Sequence, residues 1–149
     1  MSSKAPGLIL LIDDDPDCLH ILSALLQRLW LDALILTTAT LTEALRMLDQ
    51  VTPDLVVADL ALPDSKPAGT LTMLLTWLPQ DVPLVIISGY VTPLEGQEML
   101  TRGADAFLAK GIPPGEVQRT ILHTWFRAQG RMIRQQLPER NVHNAPYDS

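Results

Sequence analysis

The chain has 149 residues, 47% hydrophobic but only 5% aromatic, with a formal net charge of −6. That length suits one domain with one sizeable core, and an acidic chain repels phosphate backbones, which argues against direct nucleic-acid binding. Cys18 is the single cysteine, so neither an internal disulfide nor a multi-cysteine zinc site is available.

Five short apolar runs punctuate the sequence, at 8–12, 33–37, 54–59, 83–87 and 104–109. The first, third and fourth are nearly continuous in Leu, Ile and Val, the pattern of strands buried on both faces. The second and fifth carry more Ala and Thr, which places them nearer the edges of a sheet. Between the runs lie helical patterns. Leu19, Leu22, Leu26 and Leu29 follow Asp15-Pro16, a cap with proline at the first helical position. Thr40 with Glu43 reads as a capping box, as does Thr92 with Glu95. Leu71, Leu74, Leu75 and Leu78 mark a third helix, Gly103 is a helix stop, and Pro113-Pro114 opens the last helix.

Strict alternation of five strands and five helices predicts an α/β fold: a doubly wound, five-stranded parallel sheet in the order 2-1-3-4-5. Ligands in such sheets bind at the carboxyl ends of the strands. There the sequence places Asp13-Asp14-Asp15 after the first strand and Asp59 after the third. Ser88-Gly89 follows the fourth and Lys110-Gly111 the fifth. Crowded carboxylates need a compensating cation. Oxygen ligands without His or Cys suit Mg²⁺. Lys110 and Ser88 would stabilise charge on a phosphoryl group moving onto a carboxylate nucleophile. Each element alone has a plainer use. The aspartate run could simply cap a helix, Asp59 could be a turn residue before Pro63-Asp64, Ser88-Gly89 could be only a strand-end turn, and Lys110 could be a solvated lysine. The joint placement is what points to chemistry.

Four segments carry a resemblance. LILLIDDDPD at 8–17, PDLVVADLALPD at 53–64, LVIISGY at 84–90 and GADAFLAKG at 103–111 resemble, in order, the signature segments of bacterial two-component response regulator receiver domains. The flavodoxin-like receiver fold is therefore expected over 7–127. A short N-terminal extension at 1–6 precedes it, and the rest of the last helix with a polar tail fills 128–149. The resemblance implies that Asp59 accepts the phosphoryl group. It implies that Asp14 binds Mg²⁺ directly, Asp13 mainly through water, and the Ala61 backbone carbonyl as a further ligand. Ser88 would reorient toward the phosphoryl oxygen, Lys110 would pair with it, and Phe107 would turn inward as the switch aromatic. Asp15 would remain a helix cap. The implied function is a phospho-accepting receiver in a phosphorelay. It would be a regulatory protein that assists its own phosphorylation and dephosphorylation, not an enzyme.

Two departures stand out. Gly111 follows Lys110 where proline is usual, and a cis bond is costly without proline. Trp30-Leu31 stands where a glycine would stop the first helix.

The implied partners are a histidine kinase or histidine phosphotransfer protein and an unknown output protein. Direct nucleic-acid contact is not expected. No signal peptide is visible and no apolar stretch is long enough to cross a bilayer, so no membrane contact and a cytoplasmic location are expected. The last helix, read from Pro114 to about Gln136, would span roughly 35 Å. Ile121, Trp125, Ala128 and Met132 follow a spacing that could pair two helices in a homodimer. Alternatively Ile121, Leu122 and Trp125 pack on the sheet while the rest frays. Two other readings compete with the receiver. One is a small phosphatase of the haloacid dehalogenase type, built on Asp13 and Asp15. The other is an adaptor that uses the fold without phosphorylation.

Overall fold

The computed structural model describes residues 5–89 and 91–136. The polar tail after Leu137, Tyr90 and the first four residues lie outside the described residues. The elements alternate: β1 (Leu8–Ile12), α1 (Pro16–Leu29), β2 (Leu34–Thr38), α2 (Leu41–Gln50), β3 (Leu55–Ala58), α3 (Pro67–Trp77), β4 (Leu84–Ser88), α4 (Pro93–Arg102), β5 (Ala106–Ala109) and α5 (Pro114–Gln136). All pairings are parallel and the strand order is β2-β1-β3-β4-β5, as the alternation predicts.

Successive strand residues face opposite sides of a sheet, and β1 uses both. Ile9 and Leu11 join Leu22, Leu25 and Leu26 of α1 and Val117, Ile121 and Trp125 of α5. Leu10 and Ile12 join Leu41 and Ala44 of α2 and Leu71 and Leu74 of α3. No residue from Ile9 to Ile12 exposes more than 1% of its surface. Burying such a side chain fully contributes roughly 1.5–3 kcal/mol. At the edge, β2 leaves Leu34 exposed.

Local signals set the helix ends. Asp15 caps α1 by accepting from the Asp17 amide at 3.0 Å, and Pro16 opens the helix. At its other end no glycine is needed. The Gln27 side-chain amide donates to the carbonyls of Trp30 (3.2 Å), Leu31 (3.0 Å) and Ala33 (3.1 Å). These bonds tie the helix end to the turn that leads into β2, in place of the glycine turn that the sequence lacks. Thr92 and Glu95 form the full reciprocal box. Thr40 makes only half of one: its hydroxyl accepts from Glu43, but the Glu43 carboxylate accepts from the Ala39 amide instead.

The last helix decides between the two alternatives for its apolar residues. Ile121, Trp125 and Ala128 are each at most 3% exposed, because they pack within this domain. Packing on the sheet, the alternative to a seam with a second helix, is what these residues do. The helix does not fray after Trp125. Trp125 meets Trp30 edge to face, ring centroids 6.0 Å apart. Farther along, Arg131 pairs with the Asp105 carboxylate at 2.9 Å, and Arg127 donates to the Asp105 carbonyl.

Candidate functional site: an acidic cluster at the strand ends

The sheet ladder continues one residue past three strands. Asp13 donates its amide to the Thr38 carbonyl (3.0 Å), Asp59 to Ile12 (2.8 Å) and Lys110 to Ser88 (2.7 Å). These bonds hold the backbone of Asp13, Asp59 and Lys110 at one end of the sheet. Adjacency of β1 and β3 then brings their carboxylates together. Oxygens of Asp13, Asp14 and Asp59 lie within 4.8 Å of one another. Asp13 and Asp59 are buried and Asp14 is exposed, so the cluster opens to solvent on one side.

Lys110 closes the other side. Its Nζ lies 2.8 Å from Asp59 Oδ2 and 2.9 Å from Asp13 Oδ2. Burial works against the ammonium, but hydrogen bonds and charge from Asp59 and Asp13 outweigh it and hold Lys110 above the usual lysine range. The remaining Asp59 oxygen, Oδ1, accepts from the Ala61 amide at 2.9 Å. Asp13 Oδ1 accepts from the Asp15 amide at 2.9 Å. Asp13 Oδ2 is buried and faces the Lys110 ammonium, which leaves a lone pair available to a cation.

The donor set fits a hard divalent ion. Three carboxylates face one ammonium, so negative charge is left over. The donors are all oxygen, the chemistry that Mg²⁺ prefers. Asp15 is not among them, because its side chain caps α1. Cys18 lies beneath: burial and a hydrogen bond with Asp13 push its thiol up to about 12. It therefore stays a thiol and serves as a core residue against α1's cluster.

Ser88 ends β4 and is 9% exposed. Phe107 on β5 is half-buried, its ring laid against Gly96 of α4 so closely that a Cβ there would come within 1.9 Å of it. Gly111 adopts a φ of 94°, and the described chain contains no cis peptide bond, so the Lys110–Gly111 bond is trans. Glycine reaches that φ without the steric penalty of a side chain.

Three contributions to the structure were not foreseen. Gln27 and Gly96 are two of them. The third is Asp64, to which the sequence assigns no role, whose carboxylate accepts from the Leu41 and Thr42 amides. The partners are over 20 residues away, beyond the reach of any local motif.

Comparison with known proteins agrees with this geometry. The family model of the response regulator receiver domain matches residues 9–122. The chain belongs to the response regulator receiver family. Among curated relatives it is 30% identical over 124 residues to an uncharacterized 14.6 kDa protein of Leptolyngbya boryana, covering 81% of this chain and 92% of that one. It is 34% identical to the transcriptional regulatory protein KdpE of Mycobacterium tuberculosis, covering 69% of this chain but only 44% of that protein's length. The fold matches the CheY-like receiver domain protein of Methanospirillum hungatei, with TM-score 0.74, 22% identity and coverage of 84% of this chain and 98% of that one. It also matches NtrX of Brucella abortus, with TM-score 0.81, 21% identity and coverage of 92% and 30%.

As a receiver, the chain belongs to the two-component phospho-signalling class, a regulatory phospho-acceptor family. The dehalogenase-type reading fails on geometry too, since its second carboxylate, Asp15, is committed to α1. Among the described residues no helix is long and apolar enough to cross a membrane.

Proposed function

We propose that Asp59 is the phosphoryl acceptor of this receiver, with Asp13, Asp14, Asp59 and the Ala61 backbone carbonyl holding Mg²⁺. The observation that carries this is the Lys110 ammonium, 2.8 Å from Asp59 and 2.9 Å from Asp13 in a cluster with Asp14. A carboxylate oxygen of Asp59 attacks the phosphorus of a phosphohistidine. The P–O bond forms as the P–N bond breaks, and the histidine nitrogen keeps the electron pair. Lys110 stabilises charge on the transferring group, and the Ser88 hydroxyl donates to one of its oxygens. Bound Mg²⁺ supplies further charge neutralisation. Phe107, already packed toward α4, answers the movement of Ser88 as the switch aromatic.

The donor would be a histidine kinase or histidine phosphotransfer protein in the cytoplasm. The receiver unit is taken as 7–127, with the rest of α5 as its extension and output surface. Arg119, His123 and Arg127 of α5 flank Leu122 and exposed Phe126 along a groove of about 540 Å³. This face suits an output protein. A homodimer through the last helix would have to use it too, because Ile121, Trp125 and Ala128 are buried.

Labelling by a small phosphodonor with Mg²⁺ tests the assignment. Wild type should take up label and Asp59→Asn should not. Undiminished label in the variant would move the acceptor elsewhere.

A further inference from the structure

Asp64 stands outside the acidic cluster, five residues beyond Asp59, yet the hydrogen bonds that hold it bear on that cluster. Its Oδ1 accepts from the Leu41 amide at 2.9 Å. Its Oδ2 accepts from the Thr42 amide at 2.9 Å and the Thr42 hydroxyl at 2.8 Å. Thr40 accepts from Glu43, so side chains satisfy the first three amides of α2. Two of those amides are held by the loop after β3. A carboxylate is well suited to the place, because the helix N-terminus carries partial positive charge.

The chain between Asp59 and Asp64 has little slack. Ala61 donates to the Asp59 carboxylate at 2.9 Å, and Leu62 donates to the Leu60 carbonyl at 3.1 Å. Leu62 and Ser65 form a small antiparallel bridge around the turn that presents Asp64. Leu60 and Leu62 are buried in the same apolar cluster as Leu41 and Ala44 of α2. Ala61 is thus held between a carboxylate inside the site and a clamp outside it. The other end of the brace reaches β1, because Thr38, just before α2, accepts from the Asp13 amide.

We infer that Asp64 is a positioning residue: by pinning the β3–α3 loop to the N-terminus of α2 it sets where the Ala61 carbonyl stands, and so how tightly the acidic site holds a divalent cation. This rests on the proposed role of Ala61. Groups that orient metal ligands without touching the metal typically change affinity by about 10- to 100-fold.

The experiment is a Mg²⁺ titration of the full chain, followed by calorimetry and by backbone amide NMR shifts, for wild type, Asp64→Ala, Asp64→Asn and Thr40→Ala. Asp64→Ala should weaken Mg²⁺ about 10-fold, with Asp64→Asn in between because it keeps one acceptor oxygen. Thr40→Ala removes a cap from the same helix without releasing the loop, and should leave the affinity at the wild-type value. At saturating Mg²⁺ the Asp64 variants should still reach wild-type labelling by a small phosphodonor. Unchanged affinity in Asp64→Ala, or equal weakening in Thr40→Ala, would overturn the inference alone. A wild type that bound no Mg²⁺ would overturn the reading of the site and this inference with it.

Discussion

Lys110 holds its ammonium between two buried carboxylates that would otherwise face each other without compensation. Its ionisation is raised above the usual lysine range by Asp59 and Asp13 against the opposing effect of burial. A raised group gives stability that is complete below its ordinary pKa and lost only as pH climbs through the raised value. Lys110→Met should therefore destabilise the metal-free protein by about 1–3 kcal/mol, less than a fully buried pair because the lysine is partly exposed. The loss should be flat from about pH 6 to 9 and shrink only at higher pH. Urea unfolding across pH reads this; a difference that varied through neutrality would contradict it. Gly96 makes a different kind of contact, steric and not electrostatic. A methyl there would overlap the Phe107 ring, so Gly96→Ala should cost roughly 1–3 kcal/mol as overpacking. Adding Phe107→Leu should recover most of that loss, and a double-mutant cycle without coupling would show that the two do not interact.

Side chains hold several helix ends here. At the exit of α1, the two N–H groups of the Gln27 amide are shared among three carbonyls. Gln27→Ala should lower stability by about 1–2 kcal/mol, seen as a shift in the unfolding midpoint. An unchanged midpoint would mean that water replaces the amide without loss. Asp64 and Glu95 serve the entrances of α2 and α4. Backbone amides hold both carboxyls below their usual range. Their contribution is present above the ordinary carboxyl pKa and is lost as pH falls through the depressed values. At the sheet's opposite end, Asp105 gathers α5 and β4 together. It pairs with Arg131 and accepts from the Leu84 amide at 2.8 Å. That anchoring explains why α5 stays docked beyond Trp125.

At the scale of the whole molecule, strand order is what turns separate sequence segments into a site. Asp13 and Asp59 lie far apart in the chain, but β1 and β3 are neighbours and in register. Lys110 arrives from β5 across β4 with a side chain long enough to reach both. The aspartates, Ser88 and Lys110 were legible because each follows an apolar run, and runs of that kind end at the ligand-binding edge of a parallel sheet. Gln27, Gly96 and Asp64 were not. Their meaning lies in a contact geometry or a distant partner, and neither leaves a periodic trace. The spacing on α5 shows the same limit. Ile121, Trp125 and Ala128 have a spacing that serves a coiled coil or a domain core equally well, and only Trp30 and the sheet decide for the core. The sequence by itself determined the alternating parallel architecture and the identity of the groups at its strand ends, because hydrophobic period and capping residues act locally. The tertiary structure alone decided which carboxylates share Lys110 and which loop is clamped, because those are distances between residues that the chain keeps apart.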